Sequence, residues 1–170
     1  MHSSPLVLTA MLFGILGTST LSAQPTRGHE GNGVSGEVER ARSATVAFKS
    51  LDAAVAAGYS RNGGGCVQNQ PHGAMGYHHL NESLLDDRIE IERPEMLVYE
   101  RLPDGTYRLN GVEYIVPFSV RPATAEPPTV MGQPLQPAPS LEIWYRHVWV
   151  WLDNPSGLFA DWNPNVHCGP

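Results

Sequence analysis

Between residues 38 and 59 apolar or small side chains return every three or four positions, at Val38, Ala41, Thr45, Phe48, Leu51, Val55 and Tyr59, with Glu39, Arg42, Ser43, Lys49 and Ser50 on the other faces. That period belongs to an amphipathic helix with one buried face, and Gly58 is placed to end it. Further along, the period shortens to two. Glu95 to Glu100 reads as a strand, Pro103-Asp104-Gly105 as a turn and Thr106 to Leu109 as the returning strand; an Asp-Gly pair tolerates the positive φ that tight hairpins demand. Asn110 to Pro117 continues or bends that strand, with a bulge expected at Gly111. The most apolar run, Leu141 to Leu152, puts Ile143, Tyr145, His147, Trp149 and Trp151 on one face and Trp144, Arg146, Val148, Val150 and Leu152 on the other. Gly73 to Asn81 adds a short strand or ordered loop. The layout is α+β: an N-terminal amphipathic helix packed on an antiparallel sheet of about four to five strands, open to closure as a half-barrel.

The connections carry their own signals. The acidic stretch holding Glu82, Asp86, Asp87, Glu90, Glu92 and Glu95 reads as a solvated link, without the ligand spacing of an EF-hand. Proline recurs from Pro117 to Pro139, so that segment is expected to be irregular, either a functional flap or a surface wrap.

An apolar run from Leu6 to Leu16, then small residues ending at Ala23, reads as a signal peptide over 1–23 cleaved after Ala23. Residues 24–36 form a flexible lead-in, and 37–170 a single domain. The expected location is secreted or periplasmic. No later apolar run approaches membrane-spanning length, so no membrane insertion of the mature chain is expected. The net charge of −6 includes a single lysine, Lys49, which argues against nucleic acid and anionic membranes as partners. Two cysteines, Cys66 and Cys168, in an oxidising compartment are expected to pair as a disulfide. A redox or metal-thiolate pair is the weaker reading, because Cys-x-x-Cys spacing is lacking.

Against this background three polar side chains stand out inside apolar strands: His78, Glu113 and His147. A buried imidazole or carboxylate must find a partner or shift its pKa. Two imidazoles and a carboxylate also make a first coordination shell for a divalent transition metal with open positions, its identity left to geometry. His78 and His79 point to opposite faces if the segment is a strand, so only one of them joins a shared site. Asn81, Tyr99 and Glu100 are candidates to hold a ligating imidazole by its second nitrogen. The competing readings are structural: Glu113 paired with Arg101, Arg108 or Arg146, and His147 bonded in the core to a carbonyl or a tyrosine. A metal with open positions would allow metal-dependent catalysis. No Gly-x-Ser-x-Gly elbow supports a hydrolase triad, and no Cys-x-x-Cys-His signal supports haem. The alternative function is a non-catalytic ligand-binding or interaction module without metal, in which Trp144, Trp149, Trp151 and Trp162 form an aromatic pocket for a small-molecule ligand or simply fill the core.

Met75-Gly76-Tyr77-His78, Pro94 to Glu100, Gly111-Val112-Glu113-Tyr114 and His147 to Trp151, followed by Asn154-Pro155 and Asn163-Pro164, resemble the motifs of a family of secreted bacterial proteins without an assigned activity, over about Ala41 to Cys168. A more distant similarity connects His79-Leu80-Asn81, Leu97 to Glu100 and Gly111 to Val116 with the oil-body-associated protein family, whose later His-containing segment falls near His147. Either resemblance implies a shared fold around these strands and names no reaction.

Overall fold

The structure is a computed structural model and describes residues 33–169. The leader expected over 1–23, and the lead-in as far as residue 32, lie outside the described residues. Helix α1 (Val34–Thr45) begins inside the stretch expected as lead-in and runs on as a 3-10 turn, Val46–Lys49. The single helix expected up to Gly58 is in fact broken at Ser50, which turns extended (φ −89°, ψ 116°) and caps a second helix, α2 (Leu51–Ala56), by accepting from the Ala53 N–H. A serine hydroxyl competes with the helical backbone for such bonds, which favours a cap over a continued helix. The break leaves Phe48 and Leu51 both against the core.

The strands are β1 (Val67–Asn69), β2 (Gly73–Leu80), β3 (Met96–Arg101), β4 (Tyr107–Pro117), β5 (Thr129–Val130), β6 (Gln133–Pro134), β7 (Gln136–Ala138) and β8 (Ile143–Val148). Six of them form one antiparallel sheet, in the order β1-β2-β3-β4-β8-β7, curled into a half-barrel beneath the helices. The two strands beyond the central four are three-residue edges, too short to show a period in sequence. The Asp104-Gly105 hairpin joins β3 to β4 as expected, with Gly105 at φ 84° and the Asp104 carboxylate accepting from the Thr106 N–H.

One face of the sheet meets the helices. Leu97, Tyr99, Val112, Tyr114 and Val148 are buried there against Val38, Ala41 and Ala54. The buried tyrosine hydroxyls donate to backbone carbonyls, Tyr59 to Pro94 and Tyr114 to Ile91, so their polar ends are satisfied. The proline-rich segment contributes Val130, Met131 and Leu135 to this same core. It is therefore a wrap with buried apolar plugs rather than a free flap.

The other face is covered by the C-terminal segment. Ala74, Trp149 and Val166 pack together beside Leu152 and Cys168, a bridge links Ala74 to Asn163, and Cys66 and Cys168 form a disulfide. Strand β8 stops at Val148, short of the expected Leu152. The register explains why: between Val98 and Tyr99 the partner on β4 jumps from Gly111 to Leu109, which leaves Asn110 as the extra residue of a bulge. The Asn110 carbonyl accepts from both Trp151 N–H and Leu152 N–H, pulling the chain out of the ladder. No described helix is long and apolar enough to cross a membrane.

Candidate functional site

The antiparallel register brings the sequence-selected residues onto the face of the sheet away from the helices. His78 on β2 lies opposite Val98 on β3; Glu113 on β4 lies opposite Met96 on one side and His147 of β8 on the other. The His78 Nε2 is 3.7 Å from Glu113 Oε2, and the His78 and His147 ring centroids are 6.4 Å apart at 72°. Gly111 shares the row of His78 and Val98. A Cβ added there would sit 2.7 Å from the Val148 carbonyl and 3.2 Å from His147 Cε1, so glycine is required by the neighbouring backbone and also relieves crowding of the imidazole beneath the bulge.

His79 turns to the opposite face, as alternation requires. Its Nδ1 lies 2.7 Å from the Ser60 carbonyl, to which an Nδ1–H donates, and its ring stands edge-on to Tyr99 at 4.9 Å. His78, not His79, therefore stands with Glu113 and His147. The residues expected to support a ligating imidazole are engaged elsewhere. Tyr99 donates to the Phe48 carbonyl on the helix side, Asn81 donates to Ala57 and accepts from Ser83, and Glu100 pairs with Arg108. Of the arginines considered as partners for Glu113, Arg108 is held by Glu100 and Arg146 by the Pro134 carbonyl, and Arg101 is exposed at the end of β3.

His147 is fully buried, and neither ring nitrogen has a hydrogen-bond partner among the described residues. Its ring leans on Trp149 at 4.4 Å. Burial holds the imidazole down at about 3, reinforced by the nearby His78. Burial likewise lowers His78 to about 4, opposed by a hydrogen bond with the Gly76 backbone. Glu113 goes the other way, up to about 8, by burial first and then by the Asp161 carboxylate. His78 and Glu113 lie within ion-pair reach, yet desolvation favours the neutral form of each. At neutral pH the site is thus a carboxylic acid beside two uncharged imidazoles.

This electrostatic frustration fixes a pH dependence of stability. Between about 6.5 and 3 the unfolded histidines bind protons that the folded ones refuse, so stability falls as pH falls through that range. Between about 4.5 and 8 the unfolded carboxyls of Glu113 and of the similarly raised Glu95 lose protons that the folded ones keep, so stability falls as pH rises. The two slopes oppose each other between about 4.5 and 6.5. Chelator-treated protein should therefore be most resistant to urea in that weakly acidic window and weaken toward pH 8; a maximum at or above pH 8 would contradict the assignment.

Beside the three residues lies a cleft of about 470 Å³, walled by Met75, Met96, Ile143, Tyr145 and Trp162, with Gly64 and Gly65 at its edge. The Tyr145 hydroxyl faces the Asp161 carboxylate at 3.4 Å, and Gln136 donates to the other Asp161 oxygen. Tyr145 was visible in sequence on the His147 face of the last strand. Asp161 was not, since it sits in an aperiodic loop whose course is set by the disulfide. Of the four tryptophans only Trp162 lines the cleft. Trp144 packs on Phe118, Trp149 on His147 and Trp151 under Lys49, with each indole N–H bonded.

Among the described residues no three His, Cys, Asp or Glu side chains already stand at metal-ligating separations. Two donors on a first-row tetrahedral ion are roughly 3.4 Å apart, close to the His78–Glu113 spacing, whereas two ligating imidazoles have centroids roughly 5 Å apart, nearer than His78 and His147 stand. No family model, curated protein or solved structure matches the chain.

Proposed function

We propose that this is an exported metal-binding protein that takes a divalent first-row transition ion on His78, Glu113 and His147 at the base of the cleft. The observation that carries the reading is the His147 ring, buried with both nitrogens unpartnered. A buried polar group without a bond loses its hydration with no compensation, and a coordinate bond to one nitrogen compensates it where the neighbours are another imidazole and a carboxyl. Ligation requires the two rings to close by about 1 Å and Glu113 to lose its proton. Two imidazoles and one carboxylate leave coordination positions open toward the cleft, where the ion would supply Lewis acidity to a bound small molecule. The residues of the chain then bind and orient: Tyr145 and Trp162 wall the position, and Met75 and Met96 exclude water. Binding is the function claimed, with catalysis secondary to it. The disulfide and the leader-like apolar run support an extracytoplasmic location, in keeping with the resemblance to exported bacterial proteins.

The test is elemental analysis of protein exported to an oxidising compartment and purified without chelator or histidine tag. Stoichiometric transition metal is expected, lost in His147→Ala and Glu113→Ala. Substoichiometric metal that falls no further in either variant would refute the centre. A metal-free ligand-binding module is then the remaining reading, favoured by the apolar wall of the cleft.

A further inference from the structure

Two hollows meet at the His78 side chain. The apolar cleft already described shares Gly64, His78 and Met96 with a second, more open hollow of about 610 Å³. The walls of both include apolar side chains, Leu80 and Met96 in the second, but the second carries more polar groups. The second hollow presents Ser60, Asn62, Asn81, Glu82 and Ser83, a set of hydroxyls, amides and one exposed carboxylate. The first presents Val67, Leu141, Ile143 and Trp162. Val67 and Leu141 are 39% and 68% exposed, two large apolar side chains left in water at the mouth of a concave surface, the pattern of a wall that awaits an apolar occupant. Leu141 is held at that lip by Glu142, whose positive φ of 55° is unusual for a residue with a Cβ and whose carbonyl accepts from the Phe118 N–H.

Charge decides what head such an occupant carries. Among the described residues neither hollow is lined by a lysine or an arginine; the ionisable groups on the walls are His78, Glu82 and Glu113, with Asp161 behind Tyr145. An anionic head would face the Glu82 and Glu113 carboxyls with no lysine or arginine of these walls to receive it. A protonated amine meets Glu82 and the hydroxyl and amide oxygens around it.

We infer that the joined hollows bind an alkylammonium-class ligand, its protonated amine in the polar hollow beside Glu82 and its chain passing His78 into the apolar cleft along Val67, Leu141 and Ile143. The site needs no metal, so it stands or falls separately from the metal centre.

Calorimetric titration of the chelator-treated full chain with n-octylammonium, octanoate, octanol and n-butylammonium tests the inference. Octylammonium should bind roughly tenfold tighter than butylammonium, because only the longer chain reaches the apolar wall, and roughly tenfold tighter than octanoate, because the head is read by charge. Leu141→Asp, at an exposed position that leaves the core intact, should weaken octylammonium by about tenfold, and Glu82→Lys by about threefold, as expected for an exposed ion pair, while octanoate improves. Failure of octylammonium to bind, equal affinity for octanol or octanoate, or indifference to Leu141→Asp in protein with unchanged thermal unfolding would each overturn it. Repeating the titration on metal-loaded protein separates the two sites: loss of metal in His147→Ala with octylammonium affinity retained supports the cleft and leaves the metal result to stand alone.

Discussion

A Cys66→Ser/Cys168→Ser double variant is expected to lose about 4–5 kcal/mol of stability in the chain-entropy account of a loop this long, in which the paired cysteines are 102 residues apart. That is a large share of the 5–15 kcal/mol typical of a domain. The mechanism acts mainly on the unfolded chain, which the cross-link keeps from its most extended states. A second effect acts on the folded one. Cys168 is the last fixed point of the segment that lays Val166 against Trp149 and Ala74, and Trp149 in turn packs on His147. Without the bond, this strap is held by the Ala74–Asn163 bridge and a few side-chain bonds, such as that from Asn163 to the Asp153 carbonyl. Denaturant unfolding of the variant should show the lowered midpoint, and hydrogen exchange should show the amides after Leu158 opening well before those of β3 and β4. A midpoint within about 1 kcal/mol of the parent would mean that the strap closes without its cross-link.

The second large effect has opposite signs in two conditions. His147→Leu replaces an unpartnered buried imidazole with an apolar side chain of similar reach, and in chelator-treated protein it should raise stability by about 1–3 kcal/mol, the usual cost of an unsatisfied buried polar group. In the presence of excess zinc the ranking should reverse. The parent gains stability by mass action on its folded state, while the variant, with one ligand gone, does not. Thermal unfolding of both proteins with chelator and with zinc measures the crossing directly. Leucine destabilising in both conditions would show that the His147 nitrogens are satisfied by bound water rather than frustrated, and that the imidazole is a structural core residue.

Much of the architecture could be read from period alone. The helix face, the Asp104-Gly105 hairpin and the inward face of the last strand all follow from alternation and turn chemistry, and the cysteine pairing follows from compartment and count. What escaped the pattern has identifiable causes. Ser50 breaks the helix because a hydroxyl cap competes with helical continuation, and one such residue does not disturb a window of twenty. Strand β8 ends early because a bulge on its neighbour captures its amides, a fact about two strands that neither contains. In the site, His78, Glu113 and His147 were legible as misplaced polarity, and strand alternation already required His78 and His79 to part. The supporting residues were not. Tyr99 and Glu100 satisfy the spacing for outer contacts, but Tyr99 faces the helices and Glu100 is held by Arg108. Asp161 reaches Tyr145 from a loop and Leu141 ends a short 3-10 turn ahead of β8, where no strand alternation constrains direction.

The close approach of Gly111 to the Val148 backbone and to the His147 ring ties two positions on different strands in one direction only. A side chain at 111 would meet the Val148 carbonyl first and crowd the imidazole second, so the position demands glycine whether or not the histidine is kept. Chains that descend from this one should therefore keep the glycine even where the histidine is lost, and an alanine at 111 above an intact histidine is the combination least expected in any relative. The spacing Gly-x-Glu on one strand with His on the next is the search pattern by which such relatives can be recognised when overall identity has faded.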